Sequence, residues 1–172
     1  IVKLDSKTEL LSEQVPNKLV DSINIDHSRI YGGSFTSKGN LYYCSSQDII
    51  GIYNSYDPYK IKKIKTINAM DVNWTITSMD TTEDEELLVY SSISPFLHIV
   101  DLHTLCKFHT KINLSSSDST YFGYGDFFGI FNCKFSGDGK ELVCVTNSAH
   151  IIVYDLKQEQ KVCDISKTHE DD

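Results

Sequence analysis

Basic residues are scarce in this chain. Its 172 residues include 16 Lys and Arg against 24 Asp and Glu, which gives a formal net charge of -8. Binding to nucleic acid depends on Lys and Arg side chains that neutralise phosphates and release counterions. We therefore expect no direct contact with nucleic acid.

Long apolar runs and C-x-x-C pairs are also missing. No stretch approaches the roughly 18 apolar residues that a membrane-spanning helix needs, and the chain does not start with the residue order of a secretory signal. The five cysteines are odd in number and lie in apolar, strand-like segments: Cys44, Cys106, Cys133, Cys144 and Cys163. These features predict no membrane association, buried free thiols, and an intracellular protein of the nucleus or cytoplasm.

Helical periodicity is nearly absent after Leu19, and short runs rich in Ile, Val, Tyr and Phe recur between turn residues. The same order of four strands occurs three times. The predicted strands are 30–35, 41–45, 49–54 and 60–67; then 75–80, 87–92, 97–102 and 106–114; then 130–135, 141–146, 151–156 and 161–165.

This repetition predicts an all-β chain. Four strands per repeat are typical of a β-propeller blade, and known propellers close with about 4 to 8 blades. Three blades therefore predict an open segment that needs further blades to close, and His169 stands where the next blade would begin. The predicted division is a lead-in segment (1–28), three blades (29–68, 69–114 and 129–168), an inserted loop (115–128) and the start of a further blade (169–172).

Several motifs carry a family resemblance. In their shared order they resemble the WD-repeat substrate receptors of cullin-4 RING ubiquitin ligases, in particular the type-eleven family of cullin-4-associated factors. The resemblance covers about residues 15–172 and is weak over 102–128. The motifs are VPNKL (15–19), IYGG (30–33), CSSQD (44–48), AMDVNW (69–74), YSS (90–92) with Ile99, and HEDD (169–172).

The resemblance implies a WD-repeat propeller that docks on the ligase's damaged-DNA-binding adaptor and presents protein substrates for ubiquitination, without catalysis of its own. Such receptors often carry a box of an aromatic residue, Asp, any residue and Arg after a third strand, where the Arg can pair with carboxylates. The matching positions here read YNSY (53–56), VDLH (100–103) and YDLK (154–157), so none has the Arg.

Candidate partner contacts fall in two places. Asn54, Tyr56, Asp101 and Asp155 occupy the box positions, although an Asp there more often caps a turn by accepting backbone N–H bonds. Tyr121 and Tyr124 belong to an aromatic group in the inserted loop, which fits either packing or a partner-binding patch. The lone tryptophan, Trp74, is expected to pack between blades with its N–H bonded to a carbonyl.

Other chemistries are weaker alternatives. His98, His103, Cys106 and His109 invite a zinc hypothesis, but strand alternation gives them no fixed common face. The turn at 136–139 superficially resembles the Asp-box turn of propeller hydrolases, yet a tight strand-to-strand turn explains it equally well. We expect no metal, no cofactor and no enzyme. The alternatives are a scaffold propeller of another complex and, less favoured, a propeller hydrolase.

Overall fold

A computed structural model gives the coordinates of this chain. Apart from the isolated residues 19 and 22, it describes residues 29–36, 38–39, 41–54, 56–57, 59–104, 108–115 and 128–166. Over these residues the protein is all-β, and no helix is long and apolar enough to cross a membrane.

Twelve strands form three separate four-stranded antiparallel sheets in the described part of the chain. Each sheet is a meander, with strand orders β1-β2-β3-β4, β5-β6-β7-β8 and β9-β10-β11-β12. The strands are β1 Ile30–Phe35, β2 Leu41–Ser46, β3 Ile49–Asn54, β4 Lys62–Asn68, β5 Ile76–Thr81, β6 Leu87–Ser92, β7 Phe96–Asp101, β8 His109–Asn113, β9 Ile130–Phe135, β10 Glu141–Thr146, β11 Ile151–Asp155 and β12 Gln160–Ile165.

The predicted strands are confirmed, and most of their ends lie within one residue of the prediction. The largest difference is β8, which begins at His109 instead of residue 106. The fourth strand of the first sheet likewise begins at Lys62 instead of residue 60. Fourth strands are the hardest to bound from the sequence because they are edge strands, with polar, half-exposed residues in place of a clear apolar alternation.

The first and second sheets pack face to face. Ile50, Ile52 and Ile67 of the first sheet are buried against the second sheet. The second sheet contributes Ile76, Met79, Leu88, Tyr90, Val100 and Leu102 to this first core. Alternation along each strand places the remaining side chains on the opposite faces.

The second sheet buries its other face against the third. Val89, Leu97, Ile99 and Ile112 pack there against a set from the third sheet that includes Ile130, Leu142, Cys144 and Ile152. The second sheet is therefore covered on both sides, which explains why β6 and β7 are almost wholly buried.

The hairpins between first and second strands repeat one turn three times. A backbone N–H three residues along the turn bonds back in each case: Gly39 to the Thr36 carbonyl, Glu85 to Thr82 and Gly139 to Ser136. The residue at that position has positive φ each time, which costs a glycine nothing but strains Glu85. The turn at 136–139 is thus a tight turn between two strands of a hairpin, which is the simpler of the two explanations that the sequence left open for it.

These three turns converge at one end of the molecule. A shallow groove of about 370 Å³ is lined by Lys38, Thr82, Glu83, Asp84 and the loop 137–139. The Thr36 hydroxyl also donates a hydrogen bond to the Glu85 carboxylate, which joins the first two turns directly. We call this the lower end, and the end where Ile30, Ile76 and Ile130 begin their sheets the upper end.

Each first strand carries an irregularity at its second residue. The register shifts between Ile30 and Gly32, between Ile76 and Ser78, and opposite Val145 and Thr146 in the third sheet. A β-bulge of this kind re-aims the side chain of the extra residue. Tyr31 and Thr77 therefore occupy matching positions at the upper end of their sheets.

Candidate functional site

The segment that connects the first sheet to the second, residues 69–75, is held at the upper end by several hydrogen bonds. The Ala69 N–H donates to the Asp48 carbonyl at 2.7 Å, and the Ile76 N–H donates to the Gln47 carbonyl at 3.1 Å. The hydroxyl of Ser92 donates to the Asp71 carbonyl at 3.4 Å. We call residues 69–75 the connector.

A cluster of polar side chains lies beneath the connector, between the first two sheets. The Tyr90 hydroxyl accepts a hydrogen bond from the Met70 N–H at 2.8 Å and lies 2.7 Å from Nδ1 of His109. Nε2 of His98 lies 3.1 Å from the Asp71 carboxylate, which also accepts from Lys111 Nζ at 2.8 Å. The rings of Tyr90 and His98 stack with centroids 5.1 Å apart.

Burial and charge set the protonation states in this cluster. Burial lowers the pKa of His98, against the Asp71 carboxylate that favours its charged form. The neutral His98 therefore donates its Nε2–H to Asp71, because a carboxylate only accepts. The bond from Lys111 holds the pKa of Asp71 below its ordinary value. Burial raises the pKa of Tyr90 to about 12, so its hydroxyl stays protonated.

The third sheet has apolar residues at the positions that Tyr90 and His98 occupy in the second sheet. Tyr90 pairs with His98 across β6 and β7, and Cys144 pairs with Ile152 at the same register across β10 and β11. The third sheet fills these positions with apolar core, whereas the second sheet uses them to hold the connector.

The connector presents apolar side chains to solvent above this cluster. Trp74 is 62% exposed and Met70 is 51% exposed. The ring of Tyr31 packs edge-on against Trp74, with centroids 6.0 Å apart. The expectation that Trp74 packs between blades is therefore wrong: it touches the first sheet through Tyr31 but stays on the surface. Its backbone has a positive φ of 70°, which is uncommon for a residue other than glycine.

The residues at the ends of the third strands cap turns at the lower end. Asp101 accepts from the backbone N–H of His103 at 2.7 Å and of Thr104 at 3.2 Å. Asp155 likewise accepts from Lys157 and Gln158, and the Asn54 side chain accepts from the Tyr56 N–H. The turn-capping alternative for Asp101 and Asp155 is confirmed, and their partner contact stays a prediction.

The other predicted contact residues divide in two. Tyr56 is 84% exposed beside a small groove that Asn54, Asp57, Lys60 and Lys62 also line. Tyr121 and Tyr124 lie outside the described residues.

The histidines of the zinc hypothesis are engaged with other partners. His98 and His109 bond to Asp71 and Tyr90, His103 lies in an exposed turn, and Cys106 falls outside the described residues. No group of three or more His, Cys, Asp or Glu in the described ranges is placed to hold a metal ion.

Three carboxylates line the lower groove, those of Glu83, Asp84 and Asp138, and the last two bond within their own turns. Asp84 accepts from the Thr82 hydroxyl and the Glu86 N–H, which keeps its pKa below the usual value. Bonds from Lys140 and Ser136 lower the pKa of Asp138 to about 2. Ionised acceptors of this kind stabilise turns, and neither is suited to deliver a proton at neutral pH.

The expectation of buried thiols holds for two of the three cysteines whose side chains the structure describes. Cys133 and Cys144 face each other across β9 and β10 and are buried and free. Cys163 is exposed, so the expectation is wrong for this residue, because it lies with Val143 on the outward face of the third sheet, which no other sheet of the described residues covers.

The connector cluster was missed from the sequence. Its members Asp71, Tyr90, His98, His109 and Lys111 are spread over 41 residue positions, and no short motif joins them. One signal was present: His98 interrupts an otherwise apolar strand, FLHIV, at a position that alternation with Val100 places toward the first sheet.

The fold and this site define a class: an all-β chain of repeated four-stranded antiparallel sheets, with a pinned connector between the first two. The chain is 35% identical over 154 residues to the LEC14B protein of Lithospermum erythrorhizon, covering 84% of this chain and 31% of that protein. It is 31% identical over 157 residues to the LEC14B homolog of Prunus armeniaca, covering 86% of this chain and 32% of the relative. No protein-family model matches the chain.

The chain thus spans about a third of the length of the curated relatives that it matches.

Proposed function

We propose that this chain is a three-blade segment of a WD-repeat β-propeller that acts as a non-catalytic protein-interaction module. The observation that carries the proposal is the matching register of its three sheets. Ile67, Ile112 and Ile165 pair with Ile50, Leu97 and Ile151 at the same place in successive sheets. Units that repeat in sequence and pack face to face are the design of a propeller.

The outward face of the third sheet supports the presence of further blades. Ile67 is fully buried under the second sheet and Ile112 is 6% exposed under the third, whereas Ile165 is 49% exposed. Val143 and Val145 lie on the same uncovered face as Ile165. An apolar sheet face of this kind is normally covered, and another blade in the same register fits it.

The partner assignment rests on the family resemblance. We propose that the full protein is a substrate receptor of a cullin-4 RING ubiquitin ligase, that it docks on the damaged-DNA-binding adaptor, and that it presents protein substrates for ubiquitination. An intracellular location, in the nucleus or cytoplasm, belongs to the same proposal. The names of the LEC14B relatives carry no activity that would support or oppose it.

A scaffold role in another complex is the second candidate. It is favoured by the residues at the box positions, where Tyr56, His103 and Lys157 stand in place of the Arg that such receptors use. A hydrolase finds no comparable support, because two of the three carboxylates of the lower groove, Asp84 and Asp138, are bonded into their turns.

The test is a co-purification of the tagged full-length protein with the purified adaptor at mild salt. A stable complex that also contains cullin-4 supports the receptor. Absence of the complex in repeated trials, with the protein shown to be folded by circular dichroism, removes the receptor proposal and leaves the scaffold.

A further inference from the structure

We propose that the upper end of the first two sheets is a docking surface for an acidic–apolar protein segment. The Tyr31–Trp74 corner receives an apolar side chain, and Arg29 pairs with a carboxylate next to it. The inference rests on the proposed function in one respect, that the partner is a protein, and it adds the surface and its chemistry.

The residues of this surface are unusual for the chain. Trp74 is its only tryptophan, and Arg29 is its only arginine. Both are exposed and lie at the upper end, where Tyr31 packs against Trp74. Trp, Tyr and Arg are the residues most enriched among those that dominate binding energy at protein interfaces. Exposed Met70 follows on the same connector and widens the apolar area.

The surface is rigid, which favours binding over a chance exposure. Two non-glycine residues of the connector, Asp71 and Trp74, have positive φ values of 52° and 70°. Each such conformation is unfavourable for a residue with a Cβ and persists only where the surroundings impose it. Here hydrogen bonds with Tyr90, Ser92 and His98 hold Met70 and Asp71. Around Trp74, the Thr75 N–H donates to the Asn73 carbonyl at 3.0 Å. A connector held in this way presents Trp74 with little ordering left to occur on binding.

The chemistry of the partner follows from what surrounds the corner. Two aromatic rings meeting edge to face leave an apolar angle that fits a Leu, Met or Phe side chain. Arg29 makes no ion pair with the part of the chain that the structure describes, and its planar guanidinium suits a bidentate carboxylate. The carboxylate of Asp71 on the connector is held by Lys111 and His98. Asp48, on the adjacent turn between β2 and β3, is exposed. Its charge disfavours a second acidic residue of the partner segment next to that turn.

The probe is a displayed library of random twelve-residue peptides, selected on the immobilised full-length protein. We expect enriched peptides to place an apolar residue beside Asp or Glu. Binding of a synthetic enriched peptide should weaken at least tenfold with Trp74→Ala and with Arg29→Glu. Tyr59→Ala, which removes an equally exposed aromatic at the lower end, is the matched control and should bind as the unchanged protein does.

A charge exchange separates recognition from indirect damage. A peptide with Lys in place of its acidic residue should bind Arg29→Glu better than it binds the unchanged protein. The inference is overturned if the enriched peptides share no such pattern, if they bind Trp74→Ala undiminished, or if the charge exchange restores nothing. If the docking surface fails these tests but Trp74→Ala still binds the adaptor, the proposed function stands without the docking surface. If the peptides bind as expected but the protein does not bind the adaptor, the docking surface stands without the receptor function.

Discussion

The hydroxyl of Tyr90 lies 2.7 Å from Nδ1 of His109 and accepts a hydrogen bond from the backbone N–H of Met70. The tautomer of His109 decides which of the two groups donates in this bond, whereas the Met70 N–H donates to the Tyr90 hydroxyl in either case. One buried side chain thus joins the fourth strand of the second sheet to the connector that comes from the first. The bond between the Tyr90 hydroxyl and Met70 therefore makes the conformation of the connector depend on the packing of Tyr90 in the core.

Tyr90→Phe should destabilise the protein by about 1–3 kcal/mol, because it leaves the Met70 amide without this acceptor while the ring still fills the core. Urea unfolding measures the change. Hydrogen–deuterium exchange should show faster exchange over residues 69–75 than over the strands. Tyr56→Phe is the control: Tyr56 is 84% exposed, so its change should stay within about 0.5 kcal/mol. Equal effects of the two variants would contradict the structural role of Tyr90.

The stability of this region should fall as the pH is lowered through the ordinary range of histidine. Burial holds the pKa of His98 in the folded protein below its ordinary value of about 6.5. Below about pH 6.5, His98 of the unfolded chain takes up a proton that the folded protein does not bind. The free energy of unfolding therefore falls below about pH 6.5, with a slope of at most ~1.4 kcal/mol per pH unit. The groups facing His98 are Asp71, Tyr90, His109 and Lys111. Asp71, whose pKa is lowered from 3.8, adds a further loss only in stronger acid.

His98→Gln isolates this effect, since the amide N–H can still donate to Asp71 but does not titrate. The stability advantage of the unchanged protein over His98→Gln should shrink between pH 7 and pH 5, as followed by urea unfolding. Parallel pH profiles of the two proteins would show that His98 does not titrate as described.

The repeated sheets could be predicted from the sequence because their information is local. Alternation and turn residues identify β1 to β12 within short windows. A glycine between two strand-like runs likewise identifies the turns at Gly39 and Gly139. The connector could not be predicted, because the pairing of Asp71 with His98 and Lys111 depends on how two sheets stack. The positive φ of Trp74 could not be predicted either, because tryptophan rarely adopts it and no propensity indicates it.

Asp101→Ala should cost about 0.5–1.5 kcal/mol, because the turn after β7 loses acceptors for the N–H groups of His103 and Thr104. Asp155→Ala should cost a similar amount for the same reason in the third sheet. Thermal unfolding measures both. Asp101→Asn keeps an acceptor oxygen and should restore most of the stability. If Asp101→Asn is stable but weakens binding of the adaptor, Asp101 contacts the partner as well as capping its turn.

The cysteines should differ in reactivity. Burial raises the pKa of Cys133 to about 11 and also raises the pKa of Cys144, so both remain thiols in the folded protein. Because the thiolate is the nucleophile, iodoacetamide at neutral pH should leave Cys133 and Cys144 unlabelled and should label Cys163 in the 172-residue segment, where its side chain is exposed. A further blade over the outward face of the third sheet would protect Cys163 as well, because Cys163 shares that face with Val143 through their common partner Val153. Peptide mass spectrometry identifies the labelled sites, and labelling in denaturant is the control. Rapid labelling of Cys144 without denaturant would show that the interface between the second and third sheets opens.

Val145→Asp tests whether another sheet covers the third. Val145 is 43% exposed, whereas Ser91, at the same register position of the second sheet, is fully buried beneath β9 and its neighbours. If a further blade packs on this face in the full-length protein, a carboxylate at Val145 must be buried without a partner. The free energy of unfolding should then fall by several kcal/mol, and the midpoint of unfolding should fall clearly with it. If the face is open to solvent, the change should stay within about 0.5 kcal/mol, as expected for Lys157→Asp on the exposed turn after β11. A full-length protein that tolerates Val145→Asp as well as Lys157→Asp would show that no blade covers this face, because apolar packing there cannot survive an unpaired charge.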